Sequence, residues 1–207
     1  MALTSYSDLL VKIPEWAERT DIPVDTIKDF IYMAEADASQ LLRVPAMEHN
    51  VLLTVDGGKI TIPFDYMSLR RLTHEEEDQV LQYLSWDQFV AYNRDDGVGQ
   101  DTTTPTYYSR QGTHWFISPE PEDGTVILCH YYRYIPALAD DMLSNWLLKI
   151  SPQAYLFGGL KYLFEYTMDN ERAAYWAEKF NTELVKLQSI ADAAEHTGTL
   201  LAVRLIE

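Results

Sequence analysis

Residues 125–141 read TVILCHYYRYIPALADD, and the change of character partway along this stretch decides the fold. Its first ten residues are rich in β-branched and aromatic types, the composition of a strand. Ile135-Pro136 then breaks the ladder, because proline has no N–H to donate. Ala137, Leu138 and Ala139 lead to Asp140 and Asp141, which are placed to cap the next helix and favour its positive end. The stretch therefore reads as a junction between a sheet and a helical bundle. It also holds the chain's single cysteine, Cys129, beside His130, a pair that nucleophilic enzymes use. Neighbours on an extended strand point to opposite faces, so this thiol and this imidazole diverge and cannot act as nucleophile and base. Cys129 is predicted as a small buried hydrophobe and His130 as a strand-face residue.

Upstream of the junction, residues 46–135 keep strand grammar. NVLLTV, DGGK and ITIPF form a hairpin signature, with Asp56-Gly57-Gly58 at the turn. VLQYL at 80–84 reads as a further strand, and SWDQFVAYN at 85–93 as a short helix capped by Ser85 with Gln88 at the capping-box position. RDDGVGQDTTTP is a polar loop. TYYSR and THWFIS are strands joined by Gln111-Gly112, and PEPEDG turns the chain into TVILCHYYRY. Such short strands between turn clusters predict a sandwich or barrel-like unit. On either side the period changes. Ile27, Phe30, Ile31, Ala34, Ala38 and Leu41 recur at helical spacing until Pro45, and SYSDLLVKIPEWA before them is a second helix carrying Pro14. After the junction, Ser151-Pro152 opens a helix with Tyr155, Leu156, Leu160, Leu163 and Phe164 on one face. A last helix carries Trp176, Phe180, Leu184, Leu187, Ala191 and Ala194, with Gly198 as its stop. The fold class is α+β: a helical bundle formed from the N- and C-terminal segments with an all-β insertion. The expected division is 1–45 N-terminal helices, 46–138 β-rich insertion, 139–198 C-terminal helices and 199–207 an extended tail.

Charge and motifs bound the function. Sixteen Lys and Arg stand against 32 Asp and Glu, a net charge of −16. Residues 63–124 hold twelve acids and four bases. Such a surface repels DNA phosphates, since binding needs cations to replace condensed counterions. The lone cysteine forms no internal disulfide and fits a reducing compartment. The longest nearly uncharged apolar run, AYLFGGL, is too short to span a bilayer, and the first twenty residues lack the pattern of a secretory signal. THEEED at 73–78 reads as a solvated acidic edge, because no second Cys/His cluster completes a zinc-like constellation. RDDGVGQD at 94–101 lacks the framework of a calcium loop. Tyr107, Tyr108, Trp115, Tyr131, Tyr132 and Tyr134 fill sheet faces or line a protein contact; they are not interleaved with Lys or Arg as base-stacking platforms are. No nucleophile, phosphate-loop or metalloprotease motif occurs. No catalytic residue, metal ligand or cofactor is expected, and the chain does not read as an enzyme.

Two interaction candidates remain. The segment Thr199, Leu200, Leu201, Ala202, Val203, Arg204, Leu205, Ile206 and Glu207 is strand-like; a free edge of that kind is a hazard unless paired, and adding it to another chain is one solution. Gly158-Gly159 lowers the stability of an apolar helix, so something approaches closely there: a helix of the same subunit or a neighbouring subunit.

The phrases ERTDIPVDTIKDFIYMAEADASQLLRVPAME, ITIPFDYMSLRRL, ILCHYYRYIPALADD and NWLLKISPQAYLFGGLKYLFEYTMDNERAAYWAEKFNTEL follow one another in an order and spacing that resembles the head-to-tail adaptor (connector) proteins of short-tailed and related bacteriophages, over about residues 5–190. The resemblance implies a structural virion protein without catalysis, assembled in the host cytoplasm. It implies a ring, commonly of twelve identical subunits, beneath the portal protein ring. That ring extends the DNA channel, through which DNA passes without specific binding, and docks tail or nozzle proteins. Residues 199–207 lie beyond the matching stretch; their strand-like pattern alone makes them a candidate contact to the portal or a neighbouring subunit, the other outcome being that they fold back onto the chain's own helices or hairpin. No membrane is involved. Alternatives are a tail-tube or head-completion protein, or a glycan hydrolase drawing on carboxylates of residues 63–124.

Overall fold

A computed structural model of the 207-residue chain describes residues 3–94 and 104–196, the last two by their backbone alone. The fold is α+β, and the chain divides into two compact units, Met1–Ala46 with Ile135–Glu207, and Met47–Tyr134.

The helical unit is built from α1 (Tyr6–Trp16), α2 (Val24–Leu41), α4 (Trp146–Ile150), α5 (Pro152–Tyr166) and α6 (Asn170–His196), while the short helix α3 (Trp86–Arg94) belongs to the other unit. Ser5 and Asp8 form a reciprocal capping box that starts α1, and Pro14 is accommodated inside the helix. Leu9 and Ile13 of α1, Ile27, Phe30, Ile31, Ala34 and Ala38 of α2, Leu156, Leu160 and Leu163 of α5, and Phe180 and Leu184 of α6 make its core. One expected core residue lies elsewhere: Leu41 is exposed and Leu42 buried, because α2 ends at Leu41 and the extended backbone of Leu42 turns that side chain inward. A second expectation is corrected at the junction. Asp140 and Asp141 cap no helix. Residues 139 and 142 close a turn on each other, Asp140 pairs with Lys28 at 3.0 Å, and Asn145 caps α4 by accepting from Leu148 N–H at 3.0 Å. Ser151 does precede α5, but its hydroxyl donates to Glu183 at 2.8 Å and gives the helix no cap bond.

The β unit holds two sheets, β1 (Glu48–Thr54), β7 (Val126–Arg133) and β3 (Tyr66–His74) in one, and β2 (Lys59–Thr61), β6 (His114–Ser118), β5 (Tyr107–Gln111) and β4 (Gln82–Tyr83) in the other. The short helix α3 (Trp86–Arg94) is capped by Ser85 and Gln88, as their spacing predicts. The opening stretch supplies β7, the middle strand of the first sheet. Its burial alternates, with Ile127, Cys129 and Tyr131 inward. They meet Val55, Ile60, Leu72, Leu81, Trp115 and Ile117 from both sheets in one apolar layer, the sandwich arrangement. The DGG turn forms, with Gly57 and Gly58 at positive φ and a bridge between Asp56 and Lys59. The hairpin it announces does not continue. β1 spends its ladder on β7 and β2 on β6, so the two arms part into different sheets directly after the turn. The expected strand 80–84 behaves similarly: Leu81 N–H donates to Leu72, while Gln82 and Leu84 N–H donate to Thr106 and Tyr108. It crosses from one sheet to the other and leaves only two residues of regular strand.

Candidate interaction surfaces

Cys129 lies in the sandwich core with no exposed surface, and burial pushes its thiol up to about 12. A thiolate is not available there near neutral pH. His130 is on the opposite face, its Nε2 3.2 Å from Glu48. Glu48 also pairs with Arg70, whose guanidinium stands over the Tyr132 ring. Arg70 falls at a register shift between Leu69 and Arg71, a bulge that brings Arg70 and Arg71 together beside His130 and Glu48 around an open cavity of about 410 Å³. Of the aromatic set, Trp115 and Tyr131 are core, with the Tyr131 hydroxyl donating to Asp65 at 2.7 Å. Tyr107 and Tyr108 pack edge-on to Tyr92 and Tyr83, and Tyr134 is exposed. In THEEED, His74 is buried and its Nδ1 accepts from Glu77 N–H, while Glu77 accepts from the Thr104 hydroxyl. Among the described residues no three His, Cys, Asp or Glu side chains gather as a metal site, and no helix is long and apolar enough to cross a membrane.

The glycine pair is spent inside the subunit. A Cβ on Gly158 would stand 2.6 Å from the Ala34 Cβ, and one on Gly159 2.5 Å from the Ile13 Cδ1. The two glycines let α5 lie against α2 and α1, which supports the intramolecular of the two readings. Residues 199–207 lie outside the described residues, as do Gly198 and most of the loop RDDGVGQDTTTP.

The sequence reading missed a buried polar cluster on α2. Glu35 is 4 % exposed, and its Oε1 accepts from Tyr155 O–H at 2.6 Å, Leu138 N–H at 2.9 Å and Asn145 Nδ2 at 3.2 Å. Its Oε2 is buried without a partner. Desolvation raises the carboxyl to about 7 despite those three bonds. One turn on, Ser39 accepts from Ile135 N–H at 3.2 Å, so two polar residues of α2 hold the segment that follows β7. The signal was present: Glu35 stands four residues after Ile31, inside the apolar stripe.

Two open grooves flank the C-terminal half of α6. One, of about 240 Å³, is lined by Val44, Pro45, Ala46, Trp146, Ile150 and α6 residues from Leu187 to Ala194. The other, of about 470 Å³, lies between Leu41-Leu42 and α6 residues 181–192. Ile150, Val185 and Ile190 are each more than half exposed, an apolar surface of the kind that marks a contact. Between the grooves Gln188 holds Arg43 at both ends of its amide, accepting from Arg43 N–H at 2.7 Å and donating to the Arg43 carbonyl at 3.1 Å.

The described geometry thus offers contact surfaces and a buried structural carboxylate, with no reactive constellation. No curated protein matches the sequence. The model of one family, described as SU10 adaptor protein, matches residues 4–203, and the chain accordingly belongs to that family of phage adaptors.

Proposed function

We propose that the protein is a structural component of the virion that forms a ring beneath the portal, extends the DNA channel and docks tail proteins, with no catalysis of its own. The family match across almost the whole chain carries this reading. Its physical features fit. A ring uses heterologous contacts, so each subunit needs two different complementary faces, and two compact units plus residues 199–207 offer enough distinct surfaces. With a net charge of −16, a channel wall made of such subunits repels the phosphate backbone and lets DNA slide. Residues 199–207 are assigned to a contact with the portal or a neighbouring subunit. The test is co-incubation with portal rings from the same virion, viewed by negative-stain microscopy. An added ring of density on one face of the portal is expected; portal rings that stay bare at saturating protein would refute the assignment.

A further inference from the structure

The helices α5 and α6 are joined at 167–169 and run antiparallel, but they are unequal. At 1.5 Å per residue, α6 is about 40 Å long and α5 about 22 Å. The bond from Ser151 to Glu183 marks the level at which α5 begins, so roughly 20 Å of α6 runs past it. The apolar stripe of α6 does not stop there. Phe180, Leu184 and Leu187 are buried, yet Ile190, Ala191 and Ala194 continue the same i, i+3, i+4, i+7 spacing into the open groove. The far wall, from Val44 to Ala46 with Trp146 and Ile150, is apolar as well. The two-way amide bond between Gln188 and Arg43 fixes the neighbouring backbone, so the groove is preformed. Its chemistry calls for a mainly apolar segment. This strongly acidic protein carries one such segment beyond α6: TLLAVRLIE, residues 199–207, with six apolar residues in nine.

We propose that the groove between α6 and the Val44–Ala46, Trp146 and Ile150 wall receives residues 200–206 of a neighbouring copy. The inference rests on the ring-forming reading above. Groove and segment are two different surfaces of one chain, complementary to each other, which is what a heterologous contact requires. Nine residues reach at most about 30 Å, longer than the roughly 20 Å of α6 that runs past the start of α5.

The test uses the full chain, a variant lacking residues 199–207, and the fluorescein-labelled peptide TLLAVRLIE, read by anisotropy and light scattering. The shortened variant is expected to bind the peptide. Ile190→Asp and Ile150→Asp, both at exposed positions that folding tolerates, are each expected to weaken binding roughly tenfold or more by placing a charge against the apolar segment. The full chain is expected to take up added peptide, or to self-associate in a manner that excess peptide reverses. Failure of the shortened variant to bind the peptide would overturn the proposal. So would a full chain that stays monomeric and excludes the peptide, because its own segment would then fill the groove. Peptide binding with portal rings left bare would sink the adaptor assignment and leave the groove assignment standing.

Discussion

Glu35 sets how stability of the helical unit responds to pH. Its carboxyl titrates near 7 when folded and near 4.5 in the free side chain. Between those values the folded chain keeps a proton that the unfolded chain has released, so this group's contribution falls as pH rises through the window, by no more than about 3 kcal/mol. Below 4.5 both states hold the proton and the contribution is constant. Glu35→Gln preserves the shape and an acceptor but cannot ionise. The variant should therefore gain stability relative to the parent between pH 5 and pH 8, measured as the difference in urea-unfolding free energy; a difference that does not change with pH would contradict the assignment. The glycines differ from one another in the same quantitative way. Ala in place of Gly gains about 1 kcal/mol of helix propensity, against an overpacking cost of about 1–3 kcal/mol. At 158 the obstacle is the rigid Ala34 Cβ, whereas at 159 it is the far end of Ile13, which can rotate. Gly158→Ala should lower the thermal midpoint more than Gly159→Ala, and Ile13→Val should rescue only the second.

Asn145 connects the elements of the helical unit. Its Oδ1 caps α4, while its Nδ2 lies within hydrogen-bond distance of the Pro136 carbonyl, Tyr155 hydroxyl and Glu35. Asn145→Ala should cost about 2–4 kcal/mol, the sum of a lost cap and a lost buried donor. Asn145→Asp keeps the cap acceptor but brings a second carboxylate against Glu35, so its damage in denaturant titrations should grow from pH 5 to pH 8. The letters N-W-L-L carried this cap, but Asp140-Asp141 upstream looked like the better candidate, and only the Lys28 contact shows where Asp140 is used. Helical periods, the α3 capping box and the alternation that separates Cys129 from His130 were legible because each is a local property of a few consecutive residues. The parting of β1 from β2 was not. A DGG turn reports the geometry of its own residues, whereas the arms pair with strands far along the chain, Val51 with Cys129 and Ile60 with Trp115. The stretch of α6 left open among the described residues was hidden for a related reason, since a stripe of apolar residues gives no sign of where the opposing helix begins.

For the whole molecule, charge opposes assembly. Subunits of −16 repel one another over about 10 Å at 0.1 M salt and over about 3 Å at 1 M. The ring assembly proposed above should therefore strengthen on the portal as sodium chloride rises, while a contact made chiefly of ion pairs would weaken; sedimentation across a salt series distinguishes them. The register of the first sheet has a separate implication. Glu48 and Tyr132 are paired neighbours across β1 and β7, so the β unit is entered and left through two points about 5 Å apart. A unit whose ends meet is modular: it can be lost, exchanged or enlarged without changing the distance that the flanking chain must cover. Joining residue 46 to residue 135 through a short Gly-Ser linker should leave a helical protein with cooperative thermal unfolding, followed by circular dichroism. Evolution has the same freedom, and an insertion closed on itself in this way lets one surface of the protein diversify while the helical unit is kept.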